Sequence, residues 1–133
     1  MNYFLFKTDP DTYSIDDFEK DGKTIWDGVH NYQAINFIKT MKVGDKVYFY
    51  HSQSDKAILA IAEVSSLPFE NKEDKRPSWA IEIKFIERLK TPVSLADLKA
   101  ENAFKDFLLL RNPRLSIIPV PENVIKFIDS RQK

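Results

Sequence analysis

From Lys46 to His51 the chain reads Lys-Val-Tyr-Phe-Tyr-His, a run in which neither face of a β-strand is plainly made for water. Val47, Phe49 and His51 would share one face and Tyr48 and Tyr50 the other, because successive side chains of a strand point to opposite sides. A sheet built around such a strand needs cover on both faces. Ala57 to Val64 is a second apolar strand after the polar stretch Ser52 to Lys56, so the two read as a β-hairpin with a long connection. Tyr3 to Lys7 is a third strand, ending at the turn-rich Thr8-Asp9-Pro10-Asp11-Thr12. Trp79 to Leu89 is a fourth, with Ile81, Ile83 and Phe85 opposite Glu82 and Lys84, and Ser116 to Val120 is a last short one.

Helix signals fall between these strands. Ser14 with Asp17 makes an aspartate variant of the capping box, and Gly22 marks the end of that helix. After Thr24-Ile25-Trp26-Asp27-Gly28, to which no element is assigned, Asn31 caps a helix whose Ala34, Phe37, Ile38 and Met41 form one apolar stripe. Ser94 and Asp97 form another capping pair, a further helical piece is expected from Asn102 toward Leu110, and Arg111-Asn112-Pro113-Arg114 interrupts it. Pro121 is expected in the first turn of a C-terminal helix with Val124, Ile125, Phe127 and Ile128 inward. Leu67 to Ser78, with two prolines and a charged centre, reads as a mobile surface loop. Strands and helices mixed without regular alternation give an α+β class: a curved, mostly antiparallel sheet with flanking helices.

The chain has 133 residues, 43% of them hydrophobic, which suits one domain over residues 1–133 with one core. Lys plus Arg and Asp plus Glu both total 20, so overall charge gives no sign of a polyanionic partner. Residues 1–30 nevertheless hold three lysines against seven acids, leaving the remainder basic on balance. With no cysteine there is no disulfide, thiolate nucleophile or thiolate metal site. His30 and His51 alone make no metal spacing, and no metal or cofactor is expected. No run approaches the ~20 apolar residues a bilayer needs, so the expectation is a cytoplasmic protein without membrane contact.

Two chemistries compete for the polar and aromatic residues at element boundaries. Hydrolysis would use His51 and Ser52, but neighbours on a strand face opposite ways and nothing resembles a Gly-x-Ser-x-Gly elbow. The richer constellation pairs Lys7-Thr8 at a strand exit with Trp26, Asn31-Tyr32, Tyr50-His51-Ser52 and Trp79. Tryptophans framed by hydrogen-bonding groups suit a slot for a flat polar ring, while each taken singly is as readily core.

The order of these segments closely resembles the EVE-domain family of the PUA-like group. The resemblance is carried by Tyr3 to Lys7 with Thr8-Asp9-Pro10, Trp26-Asp27-Gly28-Val29-His30-Asn31-Tyr32-Gln33-Ala34, Val43-Gly44-Asp45 and Tyr50-His51-Ser52. It continues through Ile61 to Val64, Trp79, Pro92-Val93, Leu109-Leu110-Arg111, and Arg114-Leu115-Ser116 with Pro119-Val120. It implies a PUA-like curved antiparallel β-barrel with flanking helices, akin also to the YTH domain that cages methylated adenine, and binding without catalysis. The implied ligand is a flipped-out modified base, such as methylated or hydroxymethylated cytosine, on DNA or RNA. Trp26 and Trp79 would be cage walls, Lys7, Thr8, Asn31 and Ser52 polar contacts, and Tyr32 a pocket or rim residue, with Tyr50, His51 and Arg114 completing the site. Thr8-Asp9 stands where the family commonly has Ser-Glu, His30 where it has Arg, and Asn112-Pro113 where it tends to have Gln and a small or polar residue; the change at 30 removes a cation from the rim. The alternatives are a PUA-like RNA-binding domain acting in RNA modification or translation, a small hydrolase using His51 and Ser52, and a protein-interaction domain with both tryptophans wholly packed. Whether Trp26, Trp79 and Ser52 line one cavity separates these.

Overall fold

A computed structural model describes residues 2–133 except Ser54, Asp74 and Pro77. The apolar run at Lys46–His51 forms strand β3, and Val47 through His51 are all buried. On one side β3 pairs antiparallel with β4 (Ala57–Val64), as the hairpin reading requires. On its other side lies β1 (Tyr3–Thr8), in parallel register with Lys7 beside Tyr50 and Thr8 beside His51. Parallel neighbours need a long crossover. Here it comprises helix α1 (Ile15–Asp21), strand β2 (Lys23–Val29) and helix α2 (Tyr32–Lys39).

Strand β2 is an element that the sequence reading passed over. It lies at one edge of a single sheet, and β7 (Ile117–Pro119) lies at the other. Between them run β6 (Trp79–Ser94), β4, β3 and β1 in that order, while the two-residue β5 (Phe69–Glu70) pairs with the start of β6 inside the stretch expected to be loop. The charged centre of that stretch, expected to be mobile, includes Asp74 and with Pro77 lies partly outside the described residues.

Register shifts between β3 and β4 and between β4 and β6 curl the sheet into a half-barrel, as bulges add local twist. The curl is strong enough to bring Trp26 of edge strand β2 to 5.1 Å, ring centre to centre, from Phe6 of β1. α2 packs against both β7 and β6, where Ala34, Ile35 and Ile38 are buried. Strand β6 outruns the expected end at Leu89. Between Arg88 and Val93 it bulges away from β4, where the missing N–H of Pro92 interrupts no ladder, and the Gln132 amide holds both the N–H and the carbonyl of Thr91.

Local signals set most boundaries. Ser14 and Ser94 make complete capping boxes with Asp17 and Asp97, opening α1 and α3 (Leu95–Lys99), and Asn31 caps α2 through Ala34 N–H at 3.0 Å. The helical piece expected toward Leu110 is two pieces, a 3-10 turn at Asn102–Phe104 and α4 (Leu108–Arg111), because Phe104 and Phe107 turn inward as separate anchors. Pro121 has extended backbone and stands as the N-cap of α5 (Glu122–Arg131) rather than in its first turn. The buried Asp45 carboxylate accepts from the N–H groups of Asn2 and Lys42, fixing the turn at Gly44, whose φ of +98° favours glycine. No helix among the described residues is long and apolar enough to cross a membrane.

Candidate functional site

The C-terminal end of β1 organises the polar residues. Its last carbonyl, of Thr8, accepts both the N–H and the hydroxyl of Ser52, at 2.9 and 3.2 Å, while the N–H of Lys7 donates to Ser116 at 2.9 Å. Successive side chains then leave on opposite sides. Lys7 enters one cleft and Thr8 another.

The cleft on the Lys7 side has a volume of about 400 Å³ and is lined by Lys7, Tyr50, Ser52, Lys56, Arg114 and Ser116 among others. It holds three cations and no carboxylate. None of the three forms an ion pair among the described residues. Lys7 Nζ donates to the Pro113 carbonyl at 2.9 Å, and burial holds its pKa below the ordinary lysine value. Lys56 has φ of +44°, the left-handed region that costs a non-glycine residue energy, and its carbonyl accepts from Leu95 N–H at 2.8 Å.

The cleft on the Thr8 side, about 360 Å³, is lined by Thr8, Thr12, Tyr13, Thr24, Ile25, Trp26 and Asp27. Both volumes fall at the small end of the roughly 300–1,000 Å³ typical of ligand sites. Trp26 is half-buried and braced from within by Phe6 and by an edge-on Phe49 at 6.0 Å. Thr8 Oγ1 donates to the Tyr13 carbonyl at 2.9 Å, and Tyr13 Oη donates to Asp21 at 2.9 Å. Burial pushes the Tyr13 phenol up to about 12; the nearby Thr24 hydroxyl opposes this, and the Asp21 carboxylate reinforces it.

The residues singled out from the sequence are thus divided. Lys7, Tyr50, Ser52 and Arg114 meet in the basic cleft, and Thr8 and Trp26 in the aromatic one. Trp79 lines neither. It opens β6 beside Val29, past a register shift in β2, and carries Lys39 Nζ 4.8 Å above its ring. Neither of these two clefts brings both tryptophans and Ser52 together. Asn31 spends its side-chain oxygen on the α2 cap, and Tyr32 stands out from the first turn of that helix, 77% exposed. His51 is buried: Nε2 accepts from Ile15 N–H at 3.0 Å and Nδ1 faces Asp55 at 3.3 Å, so neither nitrogen is aimed at Ser52. Sequence reasoning missed Tyr13, Thr24, Asp27 and Lys56. The alternation of Thr24 with Trp26 was the available sign of a strand, masked by exposed Ile25 and by the turn-like Asp27-Gly28.

Comparison with known proteins gives a consistent picture. The EVE domain family matches residues 2–131. Thymocyte nuclear protein 1 of Rattus norvegicus is 30% identical over 168 residues, covering 99% of this chain and 74% of the relative. A crystal structure of an Agrobacterium tumefaciens protein superposes with a TM-score of 0.91 at 33% identity, covering 99% of this chain and 93% of that one. Human THYN1, crystallised in complex with 5-methylcytosine containing DNA, superposes with a TM-score of 0.89 at 26% identity, covering 100% and 98%.

Proposed function

Because the chain belongs to the EVE-domain family, we propose that it is a nucleic-acid-binding module that grips one unstacked, modified base and catalyses no reaction. The base lies against Trp26 in the aromatic cleft, and the adjoining phosphodiester follows the basic cleft across β1. One observation carries this reading: a half-buried tryptophan, braced by Phe6 and Phe49, forms the wall of a polar cleft on one side of β1, while the cleft on its other side holds three cations with no ion pair among the described residues. The human relative's complex with 5-methylcytosine DNA supports a methylated or hydroxymethylated cytosine as the base.

Magnitudes constrain how the module works. Extracting a base from a duplex costs roughly a few kcal/mol, and stacking on one aromatic wall returns about 1–3 kcal/mol. One wall does not cover the extraction. Charge contacts from Lys7, Lys56 and Arg114 then supply the remainder, and a base already in a single strand is favoured over one in a duplex. A methyl group adds only about 0.8 kcal/mol of burial, near fourfold, so the preference for a modified base is graded. Trp79, covered by Lys39 and paired beside Val29, supports the register shift that presents Trp26. The hydrolytic pairing of His51 with Ser52 lacks support, since each is held by a different partner.

The test is Trp26→Ala. It is expected to weaken binding of a single-stranded oligonucleotide containing 5-methylcytosine by about 1–3 kcal/mol, with a cooperative melt retained. Unchanged affinity in a folded variant would remove the base from this cleft.

A further inference from the structure

The wall of the aromatic cleft combines committed hydroxyls with one fixed acceptor, the Asp27 carboxylate. Thr8 has given its proton to the Tyr13 carbonyl, and Tyr13 has given its own to Asp21. The hydroxyls of Thr12 and Thr24, also on the lining, have no side-chain hydrogen bond among the described residues and can turn to suit a ligand. Asp27 adds a carboxylate with no hydrogen-bond or ion-pair partner among the described residues, and it is the single charged side chain on the cleft wall. A carboxylate is an acceptor only. At Asp27 the cleft therefore asks its ligand for a donor.

We infer that Asp27 selects bases that carry an exocyclic amine, accepting from the amino group of a cytosine- or adenine-type ring and rejecting rings with a carbonyl at that position. This rests on the base-binding reading above and deepens it. An amine donates to the carboxylate as cytosine N4 does to acidic side chains in duplex readout. A carbonyl there sets acceptor against acceptor, with no proton between them, wherever the ring lies against the carboxylate. The discrimination is sharpest between 5-methylcytosine and thymine, which share the 5-methyl group and ring shape and differ in amine versus carbonyl at C4. Asp27 would thus separate a methylated cytosine from its own deamination product, a distinction that stacking on Trp26 is unable to make because both rings offer the same face.

The experiment measures binding of two single-stranded DNA oligonucleotides, identical except for a central 5-methylcytosine or thymine, to the wild type, Asp27→Asn and Trp26→Ala. Wild type is expected to bind the 5-methylcytosine strand roughly tenfold more tightly. Asp27→Asn, whose amide can also donate, is expected to bring the ratio to about one or invert it while melting as the wild type does, because the carboxylate supports nothing else in the fold. Trp26→Ala is expected to weaken both strands. A wild-type ratio of one, or a preference that survives Asp27→Asn, overturns the role of Asp27. If Trp26→Ala weakens both strands and the ratio is one, that role alone fails; if Trp26→Ala changes neither affinity, the base-binding reading fails with it.

Discussion

Two tyrosines show how differently burial treats the same group. Tyr48 is 1% exposed with its hydroxyl unpartnered among the described residues, and burial raises its pKa. An unmet buried hydroxyl costs about 1–3 kcal/mol, so Tyr48→Phe is expected to leave chemical-denaturation stability unchanged or to raise it, despite the lost polar atom. Tyr13 is satisfied through Asp21, and its phenol lies near 12 rather than the ordinary 10. The folded protein holds that proton more tightly than the unfolded chain, so the contribution is complete below pH 10 and is lost as pH rises through 12. Stability of the wild type should fall across that window more steeply than that of Tyr13→Phe, as read by denaturant midpoints at pH 9 and 11.5.

At the scale of elements, the buried imidazole of His51 ties β3 to the start of α1. Replacement by leucine strands the N–H of Ile15 in the core, with an expected loss of about 1–3 kcal/mol in stability. Because α1 follows the loop that carries Thr12 and Tyr13, base affinity should fall in the same variant, and an oligonucleotide titration beside the melt checks both. Strands β1, β3, β4 and β6, and the capping residues Ser14, Asn31 and Ser94, could be read from the sequence because each is a local pattern. Strand β2 could not: it is an edge strand whose outward Ile25 and terminal Asp27-Gly28 break alternation, and its partner β6 comes fifty residues later. Of the candidate residues drawn from family likeness, Lys7, Thr8, Trp26, Tyr50, Ser52 and Arg114 line a cleft and Asn31, Tyr32, His51 and Trp79 line neither, and the division into two clefts was not legible at all. That division arises from one β1 alternation, Lys7 to one side and Thr8 to the other, combined with a sheet curl set by bulges that no local signal announces.

For the whole molecule, a formal charge of zero conceals a cleft with three cations and no acid. If Arg114 faces a phosphate, Arg114→Gln should weaken binding to all sequences about equally and reduce the dependence of log affinity on log salt by about one, which a titration series from 50 to 200 mM salt measures. The parallel register of β1 with β3 has a consequence for assembly as well. Thr8 is held by Ser52, and Lys7 by Ser116. During synthesis the first strand therefore leaves the ribosome long before either partner exists, and it waits unpaired while the crossover is made. Contacts so distant in sequence form slowly. A chain interrupted before Ser116 carries both tryptophans and most of the curled sheet yet lacks part of the wall of the basic cleft, so whatever that cleft holds must wait for a segment made more than a hundred residues after Lys7.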